Sequence, residues 1–229
     1  MRFNFFRRTP VITTGNIKSI FEAELAAAGG TVANTYHGRK GLFIRSVLPY
    51  AQEVLPGDGL QGSVALRSNG ADTWVHPYIF RRICSNGLIV ARAVAGEHIA
   101  VPVLNKKDEE RREEFYCQLR QAITACSRRE NFFYALERMK AASEMRIDRD
   151  LKLLSFLHRI PRIRRGLVVN LIMRRFHQDG ERSRFTLTNA VTSVARDTRD
   201  PQLKWQLEML GGKIGVLAVS VARRQTAAA

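Results

Sequence analysis

Residues 74–89 of this 229-residue chain read WVHPYIFRRICSNGLI, and they carry its clearest fold signal. Branched and aromatic residues dominate as far as Ile83, which is typical of a β-strand. Asn86-Gly87 follows, and this pair readily adopts the positive φ angles of a type I′ hairpin turn. We therefore predict a β-hairpin in which Asn86 and Gly87 form the turn between two antiparallel strands.

The sequence on either side of this hairpin predicts further strands. Segments 41–50, 60–67, 89–95 and 98–104 have strand-like composition, and turn residues such as Ser68-Asn69-Gly70 separate them. We predict an antiparallel meander from about residue 31 to residue 104, with one packed face and a second face that can be open.

Apolar residues recur at helical spacing before and after the sheet region. This spacing predicts a helix over 17–28 and helices within 105–139, 151–160, 166–176, 185–196 and 200–210. Segment 166–176 is almost wholly apolar, so we predict that it is the buried helix of this half. Asp200-Pro201 is predicted to cap the last helix and Gly211-Gly212 to end it. The fold class is therefore α+β, an N-terminal antiparallel β-sheet with a mostly helical C-terminal half.

The pattern favours one domain over residues 17–222. Its sheet part spans about 31–104 and its helical part about 105–212, with a basic arm over 1–16 and a flexible tail over 223–229. Three cysteines without close pairing indicate a reducing, cytoplasmic compartment. The longest apolar stretches are far shorter than the roughly 18 to 20 residues that a membrane span needs.

Charge is the unusual feature of the composition. The 37 Lys and Arg residues outnumber the 21 Asp and Glu residues, so the net charge is +16. The excess is +5 over residues 1–50 and +7 over residues 151–200, whereas 51–100 is balanced. Such a charge repels itself unless an anionic partner is present, which favours nucleic acid. A membrane surface fits less well, because basic and apolar residues are separated along the chain instead of lying on opposite faces of one helix.

Signals for catalysis are weak. The five histidines do not pair with cysteines or carboxylates at metal-ligand spacing, and the chain has neither a phosphate-binding Gly-rich loop with a following Lys nor a nucleophile elbow. The acids of 108–114 alternate with Lys and Arg, which is typical of a solvated helix face. We therefore predict no catalytic site, no metal site and no cofactor.

Basic residues beside aromatic residues are the better functional signal. Tyr78, Phe80 and Arg82 share one face of the predicted strand, and Arg81 lies on the other. Single-stranded nucleic acid is often bound by exposed rings that stack on bases and by cations that follow the phosphates. Core packing of Tyr78 and Phe80 is the alternative, and the sequence leaves both interpretations open.

A second basic cluster surrounds Pro161 and continues at the far end of segment 166–176. The candidate nucleic-acid-binding residues are those of the two clusters together with three cations of the first half: Arg39, Lys40, Arg45, Tyr78, Phe80, Arg81, Arg82, Arg159, Arg162, Arg164, Arg165, Arg174 and Arg175.

Residues 81–88, Arg-Arg-Ile-Cys-Ser-Asn-Gly-Leu, resemble the motif of the phage- and plasmid-associated family called domain of unknown function 932. Leu66–Ala71, Glu97-His98 and Phe185–Thr192 resemble further parts of that family in the same order, over about residues 37–212. The resemblance implies work on mobile DNA. Through a remote similarity to single-strand annealing proteins, it also implies a basic groove on a sheet backed by helices.

Taken together, these features predict a non-enzymatic nucleic-acid-binding protein. The specific hypothesis is single-stranded DNA binding or annealing in recombination or replication of mobile DNA, without a membrane partner. The alternative is a structural or assembly protein of a phage or plasmid system that binds an acidic protein partner. Formation of a homo-oligomer is compatible with both.

Overall fold

The computed structural model describes residues 12–81, 86–89, 96–104, 108–147, 165–178 and 180–216. The strands within these ranges are β1 (Thr31–Gly38), β2 (Gly41–Val47), β3 (Ala51–Leu55), β4 (Asp58–Ser68), β5 (Asp72–Arg81), β6 (Asn86–Ile89) and β7 (Glu97–Ala100). The helices are α1 (Thr14–Ala27), α2 (Glu109–Cys126), α3 (Arg129–Glu144), α4 (Arg165–Gln178), α5 (Arg184–Asp197) and α6 (Pro201–Val216). This order of a sheet followed by helices confirms the predicted α+β class.

The sheet is built around the long hairpin of β4 and β5, and all of its pairings are antiparallel. On one side, β3 pairs with the first part of β4 and β2 with its last part. On the other side, β7 pairs with the first part of β5 and β6 with its last part. β1 pairs with β2 and forms an outer edge of the sheet.

The predicted hairpin after β5 is present, but its turn is not where the sequence placed it. Asn86 pairs with Arg81 and Gly87 pairs with Phe80, so both residues belong to strand β6. The connection is residues 82–85, which lie outside the described residues. The prediction of a turn at Asn86-Gly87 is therefore wrong, because strand pairing with β5 continues through the two residues and overrides their local turn preference.

Helices pack on both faces of the sheet. On the first face, Leu42, Ile44, Val64, Leu66 and Val75 contact α1 and α2, and we call this the α1 face. On the opposite face, which we call the α6 face, the buried residues Phe43, Ala65 and Tyr78 pack with Trp205 of α6. The prediction of an open second face is thus wrong for the middle of the sheet.

Among the described helices of the C-terminal half, α5 is the most buried, and not α4, for which the sequence predicted that role. Every residue from Phe185 to Thr192 is buried, whereas Leu167 of α4 is 70% exposed. Burial of polar α5 residues is possible because their hydroxyls have backbone acceptors. Thr188 Oγ1 donates to the Arg184 carbonyl at 2.9 Å, and Thr192 Oγ1 donates to the Thr188 carbonyl at 3.0 Å.

Helix α6 begins as predicted and ends later than predicted. Asp200 Oδ1 accepts hydrogen bonds from the backbone N–H groups of Gln202 and Leu203 at 2.9 and 3.3 Å, which confirms the cap. Gly211-Gly212 does not end the helix, which continues to Val216 with both glycines buried. Gly215 of the same helix allows a close approach to α3 and α5, because a Cβ there would meet Met139 Sδ at 2.5 Å and Thr188 Oγ1 at 3.2 Å.

Several predictions fall on residues that the structure does not describe. They are residues 1–11 of the arm, residues 90–95 of the strand over 89–95, the helix over 151–160 and the tail over 223–229. Within the described ranges, no helix has the length and apolar character needed to cross a membrane.

Candidate nucleic-acid interface

A buried ion pair joins α6 to the sheet. Arg45 of β2 donates from Nη2 to Glu208 Oε2 at 2.7 Å and from Nε to both carboxylate oxygens at 3.0 and 3.1 Å. Tyr78 of β5 donates from its hydroxyl to Glu208 Oε1 at 3.3 Å. Arg45 and Glu208 are 5% and 2% exposed, so the three side chains form a network under α6.

The ionisation of this network follows from its burial and charges. Burial alone would lower the pKa of Arg45, but the adjoining Glu208 carboxylate more than offsets this, and the net direction is upward. Burial, followed by the negative charge of Glu208, holds the pKa of the Tyr78 phenol well above its ordinary value. The Arg45 guanidinium is thus charged and paired with Glu208 inside the protein.

Arg45 and Tyr78 therefore correct the prediction of exposed contacts on this face. Tyr78 is 2% exposed, so its ring is a core ring, and the core interpretation of the aromatic strip is right for this residue. The reason is that α6 covers the strand, which local alternation along β5 cannot show.

A cleft opens beside this network at the edge of α6. Its volume is about 320 Å³, and we call it the α6 cleft. Its inner side consists of the buried network, while Phe80 and Lys204 are half-buried and Arg196 is exposed. The lining residues are Ala33, Asn34, Arg45, Tyr78, Phe80, Arg196, Lys204 and Glu208.

Lys204 is the notable cation of the α6 cleft. Burial lowers the pKa of its ammonium group, and the neighbouring positive charge of Arg45 lowers it further, while the negative charges of Glu208 and Asp197 oppose the shift only in part. Within the described part of the chain, no carboxylate lies within ion-pair distance of Lys204. A half-buried lysine that makes no direct ion pair is stabilised by an anion that enters the cleft.

Ion pairs hold further cations around the cleft. Lys40 Nζ donates to Asp200 Oδ2 at 2.7 Å, which joins the β1–β2 turn to the loop before α6. Asp197 accepts from Arg196 Nε at 2.8 Å and from Arg175 Nη2 at 2.6 Å. These hydrogen bonds lower the pKa of Asp197 to about 2.

Cations outnumber carboxylates among the residues that line the α6 cleft. The lining cations are Arg45, Arg196 and Lys204, and the lining carboxylate is Glu208. An excess of two positive charges attracts an anionic ligand. Arg39 and Arg199, which adjoin Lys40 and Asp200 in sequence, are both exposed.

The other predicted residues are dispersed. Arg81 donates to Asp58 at 2.5 and 2.7 Å and lies over the Phe185 ring, away from the α6 cleft. Arg174 is exposed on α4. Arg165 is the first residue of α4, and nothing is described of its side chain. Four candidates, Arg82, Arg159, Arg162 and Arg164, lie outside the described residues.

Sequence reasoning missed three cleft residues, Arg196, Lys204 and Glu208. Lys204 and Glu208 are four residues apart, a spacing that is usual for an exposed helix pair and gave no sign of a cleft. Their importance depends on the docking of α6 against β2, which brings together residues 163 positions apart in sequence.

Metal binding finds no support in the described ranges, where no group of three or more His, Cys, Asp or Glu side chains is placed to hold an ion. The absence of a cofactor and of catalysis stays a prediction.

Comparison of the chain with protein-family models, with curated proteins and with solved structures found no match in any of the three. The family resemblance therefore rests on the four sequence motifs alone, within residues 66–71, 81–88, 97–98 and 185–192.

Proposed function

We propose that this protein binds nucleic acid, with single-stranded DNA favoured, and that the α6 cleft contacts its phosphates. The observation that carries the proposal is Lys204, a half-buried cation that makes no direct ion pair with a carboxylate of the described residues, at a cleft where positive groups are in excess. Phosphate oxygens accept hydrogen bonds from ammonium and guanidinium groups, and a polyanion meets several such cations at once.

A single strand fits this surface better than a duplex. The half-buried ring of Phe80 lines the same cleft as Lys204 and Arg196. A single strand can place a base against such a ring while its phosphates follow the cations. A duplex presents its phosphates but keeps the faces of its bases stacked on each other, so the ring would contribute little.

The cleft chemistry supports binding over catalysis. Glu208, the one carboxylate among the described lining residues, is held by the Arg45 guanidinium and by the Tyr78 hydroxyl. A general base must be free to take a proton from its substrate. A role in recombination or replication of mobile DNA follows from the family resemblance alone and belongs to the same proposal.

Titration of the purified protein with a fluorescent oligo-dT and with a duplex of equal length, at two salt concentrations, tests the proposed function. We expect tighter binding of the single strand and an affinity that falls with salt, by about 0.7 in the log–log slope for each phosphate contact. Absence of binding to both nucleic acids at low salt would contradict the proposal. Binding of polyglutamate with the same affinity as oligo-dT would instead support the alternative, an assembly protein with an acidic protein partner.

A further inference from the structure

One residue from each of five strands forms a continuous row across the α6 face. Tyr36 pairs with Phe43, Phe43 with Arg67, Arg67 with Trp74, and Trp74 with His98. Directly paired residues on one face of an antiparallel sheet are close enough for their side chains to touch. Four of the five residues carry rings, and the fifth is an arginine.

The side chains of this cross-strand row are in contact along its length. The Arg67 guanidinium carbon lies 4.8 Å from the centroid of the Trp74 ring and 5.5 Å from that of Phe43. The rings of Trp74 and His98 are stacked, with centroids 5.3 Å apart and an interplanar angle of 22°. Cation–π attraction and stacking therefore hold the row together.

The His98 end of the row faces solvent. Phe43, in the row's interior, is fully buried and contacts Trp205 of α6. Trp74 and Arg67 are half-buried, and the side chain of His98 is 55% exposed. His98 Nε2 lies 2.7 Å from Asp72 Oδ1, and this hydrogen bond fixes the orientation of the ring.

Arg67 has unused hydrogen-bonding capacity at this end. Among the described residues, its buried Nε has no hydrogen-bond partner, and no carboxylate lies within ion-pair distance of its guanidinium. Burial lowers the pKa of Arg67, and Asp72 opposes that shift only in part. A phosphate beside this half-buried guanidinium would supply an acceptor for its charge-assisted hydrogen bonds.

We propose that His98, Trp74 and Arg67 form a second subsite, at which a base of single-stranded nucleic acid stacks on the His98–Trp74 pair and Arg67 donates to a neighbouring phosphate. The subsite is distinct from the α6 cleft, with which it shares no residue. It deepens the proposed function and rests on it, because a stacked base has to be delivered by a bound strand.

The test compares oligo-dT with an abasic oligonucleotide of the same length, which keeps the phosphates and lacks the bases. The variant is His98→Ala, whose exposed side chain can be removed without opening the core. The control is His37→Ala, because His37 is also exposed but contacts Thr14 of α1 instead of this row. We expect His98→Ala to weaken binding of oligo-dT about fivefold or more and to leave abasic binding unchanged, and we expect His37→Ala to alter neither.

Tryptophan fluorescence gives a second measurement. The chain has two tryptophans, and Trp205 is 2% exposed, so a bound base can reach only Trp74. We expect oligo-dT to quench the fluorescence, the abasic strand not to, and the Trp74→Phe variant to lose the quenching. Unchanged oligo-dT affinity in His98→Ala, or absence of quenching in a parent that binds oligo-dT, would overturn the subsite and leave the proposed function standing. A parent that binds neither oligonucleotide would overturn both.

Discussion

Burial decides the ionisation of His76, which lies on the α6 face of β5. Its side chain is 7% exposed, its ring centroid lies 5.9 Å from that of Trp205, and its Nδ1 has no hydrogen-bond partner among the residues described. Burial lowers the pKa of the imidazole from 6.5 to about 4. The folded protein therefore keeps His76 neutral at a pH where the unfolded chain has already bound a proton.

This difference predicts a loss of stability in weak acid. Between pH 6.5 and pH 4 the unfolded state binds more protons at His76, so the free energy of unfolding falls as the pH falls. The full shift corresponds to about 3 kcal/mol. Urea unfolding at pH 7.5, 6.5, 5.5 and 4.5 measures the loss.

His76→Phe removes the titrating group and keeps a ring against Trp205. We expect this variant to lose distinctly less stability between pH 7.5 and pH 4.5 than the parent. His177→Ala, at an exposed position of α4, should retain the parent's pH dependence. If the parent and His76→Phe lose the same free energy of unfolding between pH 7.5 and pH 4.5, groups other than His76 cause the loss.

At the scale of elements, the docking of α6 shows what sequence patterns omit. The predicted stripe of Leu203, Leu207 and Leu210 is buried in the cluster that α6 shares with α5. Another part of the helix surface, with Trp205 and Glu208, packs on the sheet. The helical spacing does not predict this second contact. From the sequence alone, Glu208 would be expected to face solvent, because the sequence does not show that Arg45 lies opposite it.

The Arg45–Glu208 pair gives a prediction about this docking. Glu208→Ala leaves a buried guanidinium without its counter-ion, and we expect a loss of about 3 to 5 kcal/mol in the free energy of unfolding. The double variant Arg45→Met/Glu208→Leu removes both charges and fills similar volumes, so it should be clearly more stable than Glu208→Ala. Denaturant unfolding of the parent and the two variants measures the difference. If the double variant is less stable than Glu208→Ala, the ion pair is not what makes the single substitution costly.

Of the local sequence signals, the predicted helix cap is confirmed and the predicted turn is wrong. Asp200 caps α6 as predicted, because a cap needs only neighbouring backbone N–H groups. Asn86-Gly87 lies within β6 instead of in a turn, because pairing with β5 decides its conformation. Local sequence patterns thus predict the structure correctly where neighbouring backbone groups make the hydrogen bonds. They fail where pairing with another strand decides the backbone conformation.

At the scale of the whole molecule, periodicity was enough to predict the α+β class, but not the site. The cross-strand row joins residues 36, 43, 67, 74 and 98, which become neighbours only through the sheet register. The charge distribution was more informative. Most cations of the α6 cleft come from residues 1–50 and 151–200, the two segments in which the positive excess is concentrated.

We propose that the α6 cleft, and not the total charge of the protein, binds nucleic acid. The double variant Arg196→Gln/Lys204→Gln removes two cations from the cleft. The double variant Lys18→Gln/Lys140→Gln removes two that pair with Glu22 on α1 and with Glu137 on α3. Both variants lower the net charge by the same amount, so they separate local binding from the effect of the overall charge.

The decisive measurement is the salt dependence of oligo-dT affinity for the parent and these two variants. We predict that the cleft variant binds more weakly and that the magnitude of its log–log salt slope is smaller by about 1.4, or about 0.7 for each phosphate that the variant no longer neutralises. The control variant should stay close to the parent. Equal weakening of the two variants, or an unchanged slope in the cleft variant, would contradict the account.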